Sequence, residues 1–385
     1  MGYHINSILE DSSAFSWKYE LPRTLPEQTG KGMAAAFFLH SLYIGGSQMA
    51  ILEMIRRLRE RQILPVVYAI HDGDCKDTFL NDGIPCCIIG QPANETEIRS
   101  FFINHFDFVW LNTVSAYYFS YFFLNADIPV IWWFHETKTV LATYDGFFPH
   151  PQALSDNIVF ASTTQRMQQD LKDLYHRDSF LLPLCIEDCK DMFAPVPHTK
   201  TRFFLPGTYK TIKGYDIFLK AINLLPAQYR EQAEFICCGY TYPDDMDYRN
   251  KIGALAAKME NVEVLDALSR EELYRQYAAC DCVAAPSRLD SMPLTIIEGM
   301  MFEKLTLTSD AAGISVFIRD CVNGFVFPSE NAEELMKRMA LIIADRSSLQ
   351  GVAAAGRLCY EQNFSPAATR TTLDTLLSSF VSSDE

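Results

Sequence analysis

Apolar and polar positions along this chain fall into two long alternations of short apolar runs and helical periodicities. The run at 34–39, Ala-Ala-Ala-Phe-Phe-Leu, is apolar throughout. It predicts a strand buried on both faces of a sheet. From Ser47 the period changes: Met49, Leu52, Ile55 and Leu58 recur every third residue with Arg and Glu between them, which predicts an amphipathic helix. Further apolar runs at 66–70, 86–89, 108–111, 130–134, 158–161 and 180–182 predict strands, with helix-like segments between most of them. Strand following helix following strand implies a parallel sheet with helices on both faces.

The pattern breaks at 183–201, where Pro183, Pro195 and Pro197 stand among mixed charges and predict a linker. A second alternation follows. Its expected strands are 202–205, 234–238, 262–265, 282–284, 305–308 and 325–327, and its expected helices 215–224, 245–258, 270–278, 293–301 and 332–344. Two more helices are expected at 348–362 and 366–380. The fold class is therefore α/β, with two Rossmann-like domains whose parallel sheets face a central cleft. The expected division is a polar, irregular N-terminal extension (1–32), a first domain (33–185), a linker (186–201), a second domain (202–363), and a terminal helix (364–385) placed to cross back to the first domain. Ligands of open parallel sheets bind at the carboxyl ends of the strands.

Composition narrows the partners. The 385 residues carry 33 Lys and Arg against 48 Asp and Glu, a net charge of −15. Such a balance argues against nucleic acid and anionic lipid as partners, which need a basic surface. It leaves room for a local cationic pocket. The first fifteen residues lack a basic segment followed by an apolar one, and no apolar run approaches the ~18 residues of a membrane span. The expectation is a cytoplasmic chain with at most peripheral membrane contact. The 11 cysteines include the adjacent pairs Cys86–Cys87 and Cys237–Cys238 inside apolar runs, as buried free thiols do.

Four motifs carry candidate chemistry. Gly45-Gly46-Ser47 follows the first strand and opens the first helix, so backbone amides there can approach a phosphate, or Ser47 simply caps a tight turn. His135-Glu136 closes the buried strand at 130–134, at the edge where ligands bind or as a packed core-edge pair. Lys210 and Lys213 flank Thr211-Ile212 in the loop after the first strand of the second domain, placed to neutralise a diphosphate. Residues 286–300 read Pro-Ser-Arg-Leu-Asp-Ser-Met-Pro-Leu-Thr-Ile-Ile-Glu-Gly-Met. A loop there carries Asp290 and a helix carries Glu298, with Pro293 in its first turn. Carboxylates so spaced can accept hydrogen bonds from sugar hydroxyls. Asp244, Asp245 and Asp247 follow Pro243 and read as a helix N-terminus rather than a metal site. The aromatic run at 117–123 reads either as a buried helix or as a wall for an acceptor sugar.

Taken in order, these motifs resemble the retaining GT-B glycosyltransferases of glycosyltransferase family 4. The resemblance rests on Pro286-Ser287 with Asp290, on Glu298-Gly299-Met300, on Ser309-Asp-Ala-Ala-Gly313, on Asn323-Gly324-Phe-Val-Phe-Pro328, on Lys213-Gly214 and on Ile44-Gly45-Gly46. It implies transfer of a sugar from a UDP- or GDP-linked donor to a carbohydrate, lipid-linked or other acceptor, in synthesis of cell-surface polysaccharide or glycoconjugate. It further implies retention at the anomeric carbon and no metal or other cofactor. Under it, Glu298 holds the ribose, Asp290 lies beside the donor sugar, and Lys213 neutralises the diphosphate, helped by Lys210. Ser291, Met292, Pro293 and Leu294 supply amides, Gly45 and Gly46 approach the phosphates, and His135 lines the sugar site. Gly239 opens the loop where the base packs.

The chain departs from the family pattern in three respects. Asp290 stands where Glu is commoner, Thr208 and Ile212 stand where an arginine is usual, and Val316 replaces an acid. They keep two other readings open: a non-catalytic partner subunit of the same fold, and an epimerase or sugar phosphorylase on the same frame.

Overall fold

The computed structural model describes residues 5–12, 15, 17–23, 32–90, 95–147 and 154–381. They form two compact units. The first runs to Cys185 and takes up the chain again from Thr369; the second is Ile186–Ala368.

The first unit holds strands β1 (Lys18–Glu20), β2 (Ala34–Ser41), β3 (Leu64–His71), β4 (Cys86–Ile88), β5 (Phe108–Asn112), β6 (Val130–Phe134), β7 (Ile158–Ser162) and β8 (Ser179–Leu181). They lie in the order β1-β4-β3-β2-β5-β6-β7-β8. All neighbours are parallel except β1, which runs antiparallel along β4. The apolar runs explain the interior: every residue of β5 and β6 is buried, and β2 exposes only His40. A strand with helices on both faces has no polar side to offer.

The N-terminal segment corrects the sequence reading. It is not irregular throughout: Ile5–Asp11 is a helix whose Ile5 and Ile8 join the core, and β1 extends the sheet. Tyr19 turns inward from β1 to bring its hydroxyl 3.1 Å from that of Tyr68, and Trp17 packs on Phe101, Phe102 and Tyr68. The sheet is thus parallel with one antiparallel edge strand. The aromatic run is a second difference. It folds as one helical turn, Tyr117–Ser120, followed by a 3₁₀ turn, Tyr121–Phe123. Phe119, Phe122 and Phe123 are core residues, whereas Tyr121 is exposed.

The second unit holds β9 (Thr201–Pro206), β10 (Ala233–Cys238), β11 (Val262–Leu265), β12 (Cys282–Ala285), β13 (Leu305–Ser309) and β14 (Phe325–Phe327). Their order is β11-β10-β9-β12-β13-β14, all parallel. The order reverses between β9 and β12, the kind of switch point beside which ligands bind. The last helix, Pro366–Val381, begins in the second unit. In the first unit Arg61, two residues past the helix Gly46–Arg59, reaches its Asp374 at 2.7 Å and its Arg370 carbonyl at 3.1 Å. All 11 cysteines are free thiols, and ten are buried. No described helix is long and apolar enough to cross a membrane.

Candidate active site

In the second unit, the loops after β9 and β12 meet at the switch point. After β9 the chain makes a 3₁₀ turn, Thr211–Lys213, and leaves it through Gly214 at φ 73°. A Cβ on Gly214 would stand 1.9 Å from the Pro286 carbonyl oxygen, so only glycine lets the two loops approach. The approach puts Lys213 Nζ 2.6 Å from Asp290 Oδ2. Asp290 is fixed from behind, since its carbonyl accepts the Gly313 N–H at 2.8 Å. Gly313 is itself a contact point: a Cβ there would meet the Ser291 carbonyl oxygen at 1.8 Å.

Arg288, between Ser287 and Asp290, ties the loops together. Its guanidinium bonds both Asp216 oxygens at 2.8 and 2.9 Å, the Glu330 carboxylate at 2.6 Å and the Thr211 carbonyl at 2.7 Å. Its own N–H donates to the Ile212 carbonyl at 2.7 Å. The residue that the sequence reading passed over therefore positions the loop carrying Lys213. Its place inside the Pro-Ser-Arg-Leu-Asp motif was the available signal.

Glu298 forms a separate cluster. The helix Leu294–Met301 starts one residue later than the sequence suggests, with Pro293 as its N-cap. Glu298, in its second turn, is only 2% exposed. Tyr277 donates to Oε2 at 2.6 Å, and Arg270 Nη2 lies 2.9 Å from Oε1 outside hydrogen-bond alignment. Burial and the neighbouring carboxylate push the Tyr277 phenol well up, so it remains a donor. Neither Tyr277 nor Arg270 was singled out in the sequence, because both sit in an ordinary-looking helix, Arg270–Ala279.

Lys210 has partners of its own. Its ammonium lies 4.5 Å above the Tyr242 ring and 4.0 Å from Asp245. Gly239 packs on the loop after β9, where a Cβ would stand 1.5 Å from the Gly207 carbonyl oxygen. Met292 and Pro293 are buried, while Ser291 and Leu294 are half-buried.

In the first unit, Gly45 is the N-cap of the helix Gly46–Arg59, and no side chain caps it. Ser47 is therefore not the cap; its hydroxyl donates to Gln48 Oε1 at 2.9 Å. His135 follows β6 with its ring 4.2 Å from that of Trp133. Burial pushes the imidazole down to about 3, so it is neutral at ordinary pH. Glu136 accepts the Val114 N–H at 3.0 Å and the His135 N–H at 2.9 Å. Burial outweighs these bonds and pushes its carboxyl up to about 7. Thr113, just before Val114, is held at φ 72°, ψ 164°, a conformation that β-branched residues rarely adopt. The Trp132 indole N–H donates to its carbonyl at 2.8 Å.

Residues 191–358 match the family model described as glycosyl transferases group 1. A D-inositol 3-phosphate glycosyltransferase of Corynebacterium aurimucosum is 26% identical over 260 residues, which is 66% of this chain and 56% of that protein. Curated relatives of that description are matched over about a quarter to just over half of their own length. Among solved structures, Anabaena Alr3699/HepE in complex with UDP-glucose aligns with a TM-score of 0.75 at 17% identity, covering 90% of this chain and 100% of that one. A glycosyltransferase from Rickettsia africae aligns with a TM-score of 0.78 at 14% identity, covering 92% and 100%. These likenesses give the fold, which is GT-B.

Proposed function

From the match of residues 191–358 to the model of the glycosyl transferases group 1, we propose that the chain transfers a sugar from a nucleotide diphosphate sugar to an acceptor hydroxyl. The donor is UDP- or GDP-linked. The acceptor is a carbohydrate or a lipid-linked glycan, in cytoplasmic synthesis of cell-surface polysaccharide or glycoconjugate. Transfer retains the anomeric configuration and needs no metal.

The observation that carries this reading is the meeting of Lys213 and Asp290 at the carboxyl edge of the second sheet, 2.6 Å apart. In the reaction the bond from the anomeric carbon to the diphosphate oxygen breaks. A bond to the acceptor oxygen forms, and the acceptor proton passes to the leaving diphosphate. That leaving group gathers negative charge, so a fixed cation lowers the barrier. Lys213 supplies the cation, Asp290 orients the lysine and faces the sugar, and Glu298 accepts the ribose hydroxyls. Ser291 to Leu294 border the phosphates. Lys210, beside Tyr242, serves the nucleotide end together with the loop opened by Gly239. In the first unit Gly45 and Gly46 present the amides of a helix start, and His135 presents a neutral imidazole to the sugar.

The test is a thermal-shift screen of the full chain against UDP, GDP, ADP and their sugars, followed by NMR of the product anomer with and without EDTA. A ligand at 100 times its Kd should stabilise by about 2.7 kcal/mol. No response to any nucleotide overturns the proposal, and an inverted product or EDTA-sensitive transfer overturns the corresponding part. The second reading, a non-catalytic partner subunit, draws on Thr208 and Ile212 standing where the family has an arginine and on Val316 standing where it has an acid. It is the right one if nucleotide binds and Lys213→Ala, Asp290→Ala and Glu298→Ala leave transfer by the native complex unchanged.

A further inference from the structure

A closed circuit of contacts begins and ends on the short segment that carries Lys210 and Lys213. At its start Lys210 faces the chain after β10, with its ammonium 4.5 Å above the Tyr242 ring and 4.0 Å from Asp245. Asp245 ends the 3₁₀ turn Pro243–Asp245, and the helix Met246–Ala256 follows at once with Tyr248 in its first turn. The Tyr248 hydroxyl donates to Asp216 Oδ1 at 2.8 Å and accepts the Asp216 N–H at 3.3 Å. Asp216 stands in the first turn of the helix Tyr215–Leu224, just past Lys213 and Gly214. Its two oxygens take the Arg288 guanidinium at 2.8 and 2.9 Å. Arg288 closes the circuit on the lysine segment, by side chain to the Thr211 carbonyl and by its backbone N–H to the Ile212 carbonyl, both at 2.7 Å.

The chemistry of the links favours positioning over ligand binding. Burial alone would raise the Asp216 carboxyl, but the bonds from Arg288 and Tyr248 outweigh it and hold the group below its ordinary range. Asp216 is therefore an anion at neutral pH and repels a diphosphate. Burial and the neighbouring carboxylate push the Tyr248 phenol up, so it remains a donor. The Arg288 fork is already spent on Asp216, Glu330 and Thr211. A bidentate arginine–carboxylate pair fixes direction as well as distance. A helix start could be satisfied by one hydroxyl. Here a bidentate arginine, a carboxylate and a phenol converge on the 3₁₀ turn Thr211–Lys213, whose one ionisable side chain is Lys213.

We propose that Asp216 and Tyr248 are positioning residues for Lys213, acting through Arg288, and that they tie the helix next to Tyr242 to the lysine that meets the diphosphate. The proposal deepens the transferase reading and rests on it for the identity of the ligand; the positioning of the ammonium does not depend on it. Arg288 alone would anchor the turn to its own loop. Asp216 and Tyr248 anchor it to two helices as well, so the ammonium keeps one place against Asp290, 2.6 Å away.

The test reads Lys213 directly, by NMR of the full chain with isotope-labelled lysine and no nucleotide. Its ammonium signal is identified by its loss in Lys213→Ala. Asp216→Asn and Tyr248→Phe should each shift or broaden that signal, and Asp216→Glu, which keeps the charge, should move it less than Asp216→Asn. Calorimetry with UDP follows. Asp216→Asn and Tyr248→Phe should each weaken binding roughly three- to tenfold, and the loss should shrink below about twofold once Lys213→Ala is also present. A merely structural role would lower Tm and leave the Lys213 signal in place. An unmoved signal in both variants, or a loss of UDP affinity that persists in full without Lys213, overturns the proposal. If UDP, GDP and ADP all fail to bind the parent chain, the transferase reading falls, and the ammonium signal still decides the positioning.

Discussion

Lys213 Nζ and Asp290 Oδ2 stand 2.6 Å apart, so each charge of this pair is already balanced before any ligand arrives. The contact joins the loop after β9 to the loop after β12. It depends on Gly214, which admits the Pro286 carbonyl, and on Arg288, which holds both loops by side chain and backbone. An entering diphosphate has to compete with Asp290 for the ammonium. The two residues should therefore respond differently to substitution.

Lys213→Ala is expected to weaken UDP binding about tenfold, or about 1.4 kcal/mol, and to lower turnover by a further factor on the order of 10². Asp290→Asn removes the competitor without changing size. UDP affinity should hold or rise while turnover falls. Calorimetry with UDP and a product assay separate the effects; a parallel loss of UDP affinity in Asp290→Asn would show that the pair does not act in this way.

Arg288→Lys should act through Lys213. A lysine cannot span Asp216, Glu330 and Thr211 together, because it lacks the planar fork. A loss of UDP affinity of roughly three- to tenfold is expected from the single variant. Combined with Lys213→Ala it should add little, since the positioned group is gone. Additive losses in the double-mutant cycle would assign Arg288 an independent role.

Gly214→Ala is expected to destabilise the chain by at least about 1–3 kcal/mol, because the new Cβ combines a left-handed φ with a 1.9 Å approach to backbone. Gly45→Ala meets only the flexible end of Gln48, at 2.7 Å, and should cost much less. Urea denaturation of the two variants checks the contrast. Equal losses would mean that the loop after β9 can retreat from Pro286.

Most of the fold was legible because buried parallel strands are written as continuous apolar runs: β6, β11 and β14 fall where their runs do. β1 was not, since three residues with charged ends carry no apolar run, and only the pairing with β4 makes them a strand. At the candidate site, Lys213, Asp290 and Glu298 were visible as charged residues beside glycine and proline signals. Arg288, Tyr277 and Arg270 were not, because their partners lie 72, 21 and 28 residues away along the chain (Asp216, and Glu298 for both others) and periodicity does not report such pairings.

The adjacent His135 and Glu136 make a pH prediction with opposite signs. Burial lowers the imidazole from 6.5 to about 3, so between those values the unfolded chain binds a proton that the folded chain does not. Stability then rises with pH across that window. Burial raises the Glu136 carboxyl from 4.5 to about 7, so the folded chain holds a proton that the unfolded chain has lost, and stability falls with pH from 4.5 to about 7. Where the windows overlap, at about 4.5–6.5, the two slopes cancel. Each is at most about 1.4 kcal/mol per pH unit. His135→Gln removes the rising slope, so relative to the parent its stability should decline as pH goes from 4.5 to 6.5. Glu136→Gln removes the falling slope, and its relative stability should climb over the same range. The double variant should run parallel to the parent there. Urea unfolding at pH 4.5, 5.5 and 6.5 reads these differences directly, with every other titrating group common to all four proteins. Four parallel profiles would mean that neither group is held away from water as its surroundings imply.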